Sequence, residues 1–445
     1  MLAVLDIGKT HSRILVLDEE GRQHAAQTRV NRIQHTGTLQ SLDTDAIEDW
    51  LLASLSEFSR RFTIASIIPV AHGATAALVE NGKRVAPVLD YECAVPDDIA
   101  EAYDALRDPF AQTFSPRLPL GLNLGAQLFW QERLYPDAWP GGAEALLWPQ
   151  YWAWKLCGVH AAEMTSLGCH TDLWLPYERD YSPLVKARGW RFGPLRAAND
   201  VLGMATGLGK SCEVLCGVHD SNAALLAARG FPEVEGRPFA LVSTGTWFVA
   251  MQSGVDTPRT LDSSRDTLAN VDVAGAAVPS ARFMGGREYG HILVDKLDAK
   301  GSVAAALRLV DRDVMTEPSF VTGSGPFPGS RGTIHGDVHD DEERAALAGL
   351  HLALMSDQSL GCIAAEGPIV IEGRFAADEV YVRALAALRP EQPIFCSALA
   401  DGVALGAARL RIPNLKPTEP LRRIAPLSAD LATYRSRWLA RIAHH

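Results

Sequence analysis

The chain has 445 residues, of which 47% are hydrophobic and 21% charged, and its formal net charge is −11. That is room for two or three domains of about 100–200 residues each; the acidic balance argues against a nucleic-acid partner, which needs a basic face, and no apolar run approaches the roughly 18–20 residues that cross a membrane. The seven cysteines, at 93, 157, 169, 212, 216, 362 and 396, form no Cys-x-x-Cys pair, which argues against zinc and, with no basic leader before the first strand, makes a cytoplasmic location with reduced thiols the expectation.

The first element is a hairpin. Residues 2–17 read Leu-Ala-Val-Leu-Asp-Ile-Gly-Lys-Thr-His-Ser-Arg-Ile-Leu-Val-Leu, an apolar run, a turn at Gly8, and a second apolar run. Residues 45–61 have helical spacing, with Ile47, Trp50, Leu51, Leu55 and Phe58 on one side. Residues 64–70 read as a short buried strand ending at His72-Gly73. The stretch 107–123 holds Pro116 and Pro119 and reads as a loop. Helices rich in Trp are expected at 127–134 and 143–156, mixed structure at 188–208, and a strand at 213–216. Residues 220–229 form a strong helix pattern, opened by polar cap residues and stopped by Gly230 and Pro232. Residues 230–238, with two Gly, two Pro and three charges, read as a linker. Domains at 1–232 and 238–445 follow from it.

The second half opens on a relative of the first hairpin. Residues 239–251 read Phe-Ala-Leu-Val-Ser-Thr-Gly-Thr-Trp-Phe-Val-Ala-Met. Aligning Gly8 on Gly245 puts Asp6 opposite Ser243 and Lys9 opposite Thr246, which suggests a duplicated domain. Residues 322–336, with five Gly and two Pro, predict a long loop of the kind that is often functional. Helices are expected at 340–365, 380–387, 403–410 and 430–442, and strands at 368–372 and 394–396. His335, Asp337, His339, Asp340 and Asp341 cluster in sequence, but a loop followed by a helix cap explains them without a metal.

Phosphate oxygens need convergent N–H and O–H donors on backbone that can come close; glycine permits the approach and Thr adds a hydroxyl. The turns Gly8-Lys9-Thr10 and Thr244-Gly245-Thr246 offer both, without Walker spacing. Asp6 beside such a turn would be repelled by phosphate unless a cation intervenes, and Mg²⁺ is the expected one. Asp220 starts a helix after a strand, where a carboxylate can both cap and accept a proton from an attacking hydroxyl.

At this point a resemblance emerges. Asp6-x-Gly8-x-Thr10-x-x-Arg13, Glu163-x-Thr165-x-x-Gly168-x-x-x-Asp172, Gly217-Val-His-Asp220, Ser243-Thr-Gly-Thr246, Glu372-Gly373 and Gly406-Ala-Ala408 together make the chain similar to the FGGY carbohydrate kinases over essentially its whole length. The resemblance implies an α/β fold of two RNase-H-like domains, of the actin and hexokinase-like ATPase type, with mixed β-sheets flanking a central cleft. It implies transfer of the ATP γ-phosphoryl group to a sugar hydroxyl, with ATP and Mg²⁺ as cofactors. Asp220 matches the catalytic base, and Asp6 and Asp220 the metal-associated carboxylates. Asp6, Gly8, Lys9, Thr10, Arg13, Thr244, Gly245 and Thr246 would attend the phosphates, with Gly285, Gly286, Gly373 and Arg374 near the nucleoside. Arg374 and Phe375 depart from the small residues usual there, which puts nucleotide preference in doubt.

Sugar contacts are expected from the N-terminal half: His72, Gly73, Asp90, Tyr91, Glu92, Asn123, Gln127, Trp130 and Asp220. The Gly-Val-His-Asp and Ser-Thr-Gly-Thr-Trp segments look most like the rhamnulose and fuculose kinase branch, so a ketose is the expected acceptor. A homodimer is compatible with the resemblance, though no interface feature marks one. The alternative is a non-catalytic sugar and nucleotide sensor on the same fold; retention of both Asp6 and Asp220 speaks against it. An acyl-phosphate kinase would need a basic pocket, and the N-terminal candidates are mostly neutral or acidic.

Overall fold

The computed structural model describes residues 1–443 apart from 209–210, 256–259, 295, 297 and 400. They form two compact units: unit 1 comprises Met1–Gly230, Ala269–Ala277 and Asp401–Pro417, and unit 2 comprises Phe231–Leu268, Val278–Ala400 and Thr418–His445. Two stretches from the second half of the sequence therefore pack within unit 1. Among the described residues no helix is long and apolar enough to cross a membrane.

The sheet of unit 1 runs Val201–Met204, Glu213–Leu215, Ser66–Ala71, Leu2–Ile7, His11–Leu17 and Gln23–Val30, with Val218–His219 also pairing to Ser66–Ala71. The first hairpin is antiparallel and sets Asp6 opposite Arg13. Leu2–Ile7 runs parallel to Ser66–Ala71, Asp6 beside Val70, and Val218 pairs with Val70 from the other side. Three parallel strands therefore end together, and Asp6, His72 and Asp220 sit at that end. In parallel sheets the carboxyl ends of strands are where ligands gather. Ser66–Ala71 is buried along its whole length, as a strand covered on both faces must be. The helix Thr44–Arg61 begins at the cap Asp43 and buries Ile47, Leu51, Leu55 and Phe58, each worth about 1.5–3 kcal/mol once removed from water.

Unit 2 repeats the plan. Phe239–Thr244 and Phe248–Ser253 form an antiparallel hairpin, extended by Ala277–Phe283. Phe239–Thr244 runs parallel to Ile369–Gly373, with Thr244 beside Gly373, and Ile394–Cys396 follows in parallel. Each unit thus carries a mixed sheet of seven strands, an antiparallel hairpin extended by parallel strands, which is two more than the five strands usual for an RNase-H-like domain.

Two predicted elements differ, one of them the loop at 107–123, which holds the short helix Phe110–Thr113. Residues 143–156 are not a single helix: Glu144–Leu147 is a strand paired with Ala76–Glu80, and the helix is Trp148–Cys157. Pro149 explains the boundary, because a residue without an N–H and with fixed φ fits only the first helical turn. In unit 1 the helix Gly402–Arg411 lies so close to Asp220–Ala228 that a Cβ on Gly406 would overlap the Ala223 carbonyl oxygen.

Candidate active site

In unit 1 the chemistry collects where the parallel strands end. Asp220 opens the helix Asp220–Ala228. Its Oδ1 accepts the Ser221 N–H at 2.6 Å and the Ser221 hydroxyl at 3.2 Å, and lies 3.1 Å from His219 Nε2. Among the described residues Oδ2 has no hydrogen-bond partner, so it is the oxygen left to take a proton. Burial pushes the Asp220 pKa above the ordinary carboxylate range, with the charge of His72 pulling the other way; 32% of the side chain stays open, so solvent moderates that rise.

The backbone ahead of Asp220 is pinned. The His219 N–H donates to Thr165 Oγ1 at 3.0 Å, and that hydroxyl donates to Glu163 at 2.6 Å. Glu163 is fully buried and also accepts the N–H groups of Thr165 and Ser166. Burial raises it to about 7. The His219 ring has Asn222 Nδ2 at 3.2 Å from Nδ1 and Cys169 Sγ at 3.3 Å from Nε2. Burial lowers its pKa to about 4, so it is neutral at physiological pH and can donate to Asp220 without carrying charge.

Asp6 faces Arg13 across the first hairpin. Arg13 Nε and Nη2 both reach Asp6 Oδ2, at 3.0 and 2.5 Å, while Nη1 lies 2.7 Å from Asp401 Oδ2. Burial raises the Asp6 pKa to about 6; Arg13 opposes this, and the charges of Asp220 and Asp401 add to it. Electrostatically, then, the three carboxylates feel one another. The Gly8 turn is held by Asn31, whose Nδ2 donates to the Gly8 carbonyl at 2.7 Å and whose N–H donates to the Thr10 carbonyl at 2.8 Å. Thr10 itself is exposed.

The sugar candidates divide. His72 Nδ1 lies 3.0 Å from the Gly73 carbonyl, which fixes the proton there. Nε2 is buried with no partner, and burial lowers the ring's pKa, leaving a lone pair ready to accept a hydroxyl. Tyr91 packs edge-on against His72 at 5.2 Å. Gly73 is required because a Cβ would overlap Cys169 Sγ. Asp90 and Glu92 bind Lys9, the former at 3.2 Å, and the Lys9 ammonium lies 4.8 Å over the Tyr91 ring. Lys9, expected among the cofactor-binding residues, is therefore held by two carboxylates and an aromatic ring.

Asn123, Gln127 and Trp130 are held largely within the protein. The Asn123 amide donates to the Pro116 and His170 carbonyls at 3.0 Å, and its oxygen accepts the Leu118 N–H at 2.8 Å. Gln127 Nε2 donates to the carbonyls of Ala74 at 2.7 Å and Gly121 at 2.5 Å. Trp130 is 5% exposed in the apolar core. The Asn123 amide and Gln127 Nε2 are thus engaged in holding the loop backbone.

In unit 2 the second hairpin turn is enclosed by glycines. A Cβ on Gly286 would overlap the Gly245 carbonyl oxygen, one on Gly285 the Phe248 ring, and one on Gly373, at φ +83°, the Thr244 carbonyl oxygen. Gly286 N–H donates to the Thr246 carbonyl at 3.2 Å. Thr244 Oγ1 donates to the Glu372 carbonyl at 2.5 Å and accepts the Phe375 N–H at 3.1 Å, so this hydroxyl ties strand to turn and is not free for a phosphate. Thr246 is exposed and keeps its hydroxyl available. Phe375 is buried against Phe248 and Tyr289 at 5.1 Å, so the departure from small residues there serves the core. Arg374 is exposed beside it, its guanidinium 5.4 Å from the Phe375 ring.

The acidic and histidine cluster after the Gly-rich loop resolves into protein contacts: His335 with Glu317 at 2.7 Å, Lys296 with Asp341 at 2.9 Å, and Asp340 capping Glu343 N at 2.8 Å. Asp401 and Glu163 are the residues that sequence reasoning did not place in the site. Asp401 precedes the Gly406-Ala-Ala408 helix and looks only like a cap; nothing local links it to Arg13.

Comparison with known proteins completes the picture. A family model described as the C-terminal domain of the FGGY carbohydrate kinases matches residues 236–420. A crystal structure of a carbohydrate kinase from Novosphingobium aromaticivorans is 42% identical, with a TM-score of 0.94 over 100% of this chain and 98% of that one. A ligand-bound xylulose kinase from Lactobacillus acidophilus and a Plasmodium falciparum glycerol kinase with ADP share the fold, each at 13% identity, TM-score 0.79, and coverage of 100% of this chain and 98% of theirs. A search of curated proteins gave no match. With a near-full-length relative at that identity, this chain belongs to the FGGY carbohydrate kinase family and is a phosphotransferase with a hydroxyl acceptor.

Proposed function

We propose that the enzyme transfers the γ-phosphoryl group of ATP to a hydroxyl of a ketose, with Asp220 as the base. The observation that carries this reading is the division of labour on Asp220: its donors occupy Oδ1 and leave Oδ2 open. The open oxygen takes the proton as the hydroxyl oxygen forms its bond to phosphorus and the ADP oxygen leaves. His72 Nε2, buried and unpartnered, accepts a neighbouring sugar hydroxyl. Tyr91 closes that side of the site, and Asp90 and Glu92 neutralise Lys9. Two carboxylates against one ammonium leave the surroundings net negative, which disfavours an anionic acceptor and suits an uncharged one.

The phosphates are assigned to the backbone around Gly8 and Gly245 and to the hydroxyls of Thr10 and Thr246. Preorganised donors of this kind stabilise charge on the transferring group. Gly285, Gly286 and Gly373 make the close-packed floor for the nucleoside. Among the described residues no three His, Cys, Asp or Glu side chains converge as a cage, but nucleotide-bound Mg²⁺ needs only one or two carboxylates plus phosphate oxygens. Both Arg13 contacts fall on Asp6 Oδ2, which leaves Asp6 Oδ1 to hold the ion directly or through water, with Asp220 contributing through water. Bound there, Mg²⁺ would screen the phosphate charge.

The ketose assignment rests on the likeness of the Gly-Val-His-Asp and Ser-Thr-Gly-Thr-Trp segments to rhamnulose and fuculose kinases, and on the fold shared with xylulose kinases. ADP release measured across rhamnulose, fuculose, xylulose, ribulose, aldoses, glycerol and gluconate tests it. A ketose should give the highest kcat/KM. Preference for glycerol or gluconate overturns the ketose; tight sugar binding with no ADP release from any acceptor favours a sensor.

A further inference from the structure

We infer that Asp401 is a positioning residue for phosphoryl transfer: it holds Arg13, and through Arg13 the carboxylate of Asp6, in register with the helix that carries Asp220. The inference rests on the kinase reading of Asp6 and Asp220.

The argument is geometric. Asp401 lies 388 positions beyond Arg13 in sequence, yet it begins the segment Asp401–Pro417 that packs in unit 1. Its two oxygens do different jobs. Oδ1 accepts the Ala404 N–H at 2.9 Å and caps the helix Gly402–Arg411. Oδ2 lies 2.7 Å from Arg13 Nη1. The remaining donors of the guanidinium, Nε and Nη2, are committed to Asp6. Because the guanidinium is planar and rigid, fixing one edge orients the other.

The helix capped by Asp401 cannot drift relative to Asp220. Gly406 meets the Ala223 carbonyl with no space for a Cβ, and Ala223 lies in the first turn of the Asp220–Ala228 helix. A continuous path therefore runs from Asp6 through Arg13 and Asp401, along one helix, to the helix that begins with Asp220. The Asp401 side chain is 18% exposed and that of Asp6 14%, so neither contact is a loose surface pair of the kind worth almost nothing. Transfer is sensitive to such alignment: a misplacement of about 1 Å can cost on the order of a hundredfold in rate.

Asp401→Asn tests this directly. Asparagine caps helices as well as aspartate, so the fold should hold while the charged grip on Arg13 is lost. The expected result is a kcat lower by about tenfold or more, with the sugar KM nearly unchanged and the melting temperature close to that of the parent. In the Arg13→Gln background, Asp401→Asn should cost little more, because the residue it acts through is gone; two purely structural lesions would instead multiply. A single-variant kcat equal to the parent's, or full additivity in the double variant, overturns the inference. If the parent itself turns over no acceptor, the kinase reading has failed. The inference is then still decided by the crystal structure of Asp401→Asn: a guanidinium displaced from Asp6 supports it, and an Arg13–Asp6 contact unmoved from the parent's overturns it.

Discussion

The two hairpin turns share a backbone plan and differ in chemistry. The turn of unit 1 is ringed by charge: Asp6 with Arg13 and Asp401, and Lys9 with Asp90 and Glu92. The turn of unit 2 is ringed by glycine backbone, with Gly286 and Gly373 pressed on its carbonyls and Thr244 tied to Glu372. The two turns thus differ: charged groups surround the first, while the second offers a neutral backbone surface that can come close to a ligand. Substitutions in unit 1 should therefore act on kcat, and those in unit 2 on nucleotide affinity.

The largest effect belongs to the charged half. Asp220→Asn keeps the Oδ1 acceptor and removes the base, and kcat should fall by about 10²–10⁴-fold while ADP still binds. Near-parental turnover would remove the assignment and erase the contrast between the units. Next comes the glycine half. Gly286→Ala puts a methyl where the Gly245 carbonyl lies, which moves the turn or the helix Gly285–Leu293. The ATP KM should rise by tenfold or more, the equivalent of about 1.4 kcal/mol, with the sugar KM and the pH profile unchanged. Equal damage to kcat and to both KM values would show that the turn acts on more than the nucleotide.

The pH profile sharpens the comparison. Burial lifts Asp6 to about 6 and raises Asp220 above the ordinary carboxylate range. The profile of kcat/KM reports the free enzyme, so its acid limb should lie near about 6 rather than near the ordinary value of about 4. Arg13 holds the Asp6 pKa down, so in Arg13→Gln the limb should move to higher pH: removing a positive charge makes the ionised carboxylate harder to form. A limb that moves to lower pH, or stays put, would break the link between Asp6 and activity. Gly286→Ala should leave it in place.

How much of this was legible in the sequence follows from range. The hairpins, the helix that starts at Asp220 and the core helix at residues 44–61 are local patterns, and the fold class followed from them and from the family motifs; the cap expected at Asp220 is not formed, since His219 is the N-cap and its side chain makes no capping hydrogen bond. The strand at Glu144–Leu147 was absorbed into a helix because four apolar-rich residues before a Trp-rich run have no period of their own; only pairing with Ala76–Glu80 makes them a strand. Asn123 and Gln127 are expected as sugar ligands because they are polar residues at the Gly-containing start of a helix. Their amides instead hold backbone carbonyls up to 53 positions away, which no local spacing reveals. Asp401 was invisible for the same reason.

The holding role of Asn123 is itself testable, with a smaller effect. Asn123→Ala removes bonds to the loop around Pro116 and to His170 and leaves buried groups unsatisfied, a loss of about 1–3 kcal/mol for such a group. The melting temperature should drop, while the sugar KM should shift far less than in His72→Ala, which takes away the unpartnered Nε2. A sugar KM that rises as steeply in Asn123→Ala would keep Asn123 in the binding set.

The smallest effect is expected at Arg374, where the two halves differ most plainly. Every arginine at the turn of unit 1 that this site uses is paired with carboxylate, as Arg13 is. Arg374 is exposed and lies against the Phe375 ring at the edge of the core. If its guanidinium also lies over the adenine, an exposed cation–π contact would be worth about 0.5–1 kcal/mol. Arg374→Ala should then raise the ATP KM by roughly two- to fivefold and leave kcat and the melting temperature unchanged. Phe375 stays anchored by Phe248 and Tyr289 in that variant, so the turn keeps its shape and the shift reads the arginine alone. An unchanged KM for both ATP and GTP takes Arg374 out of the nucleotide set. A loss of a hundredfold makes it the platform for the base, and unit 2 would then bind its ligand through a charged side chain after all.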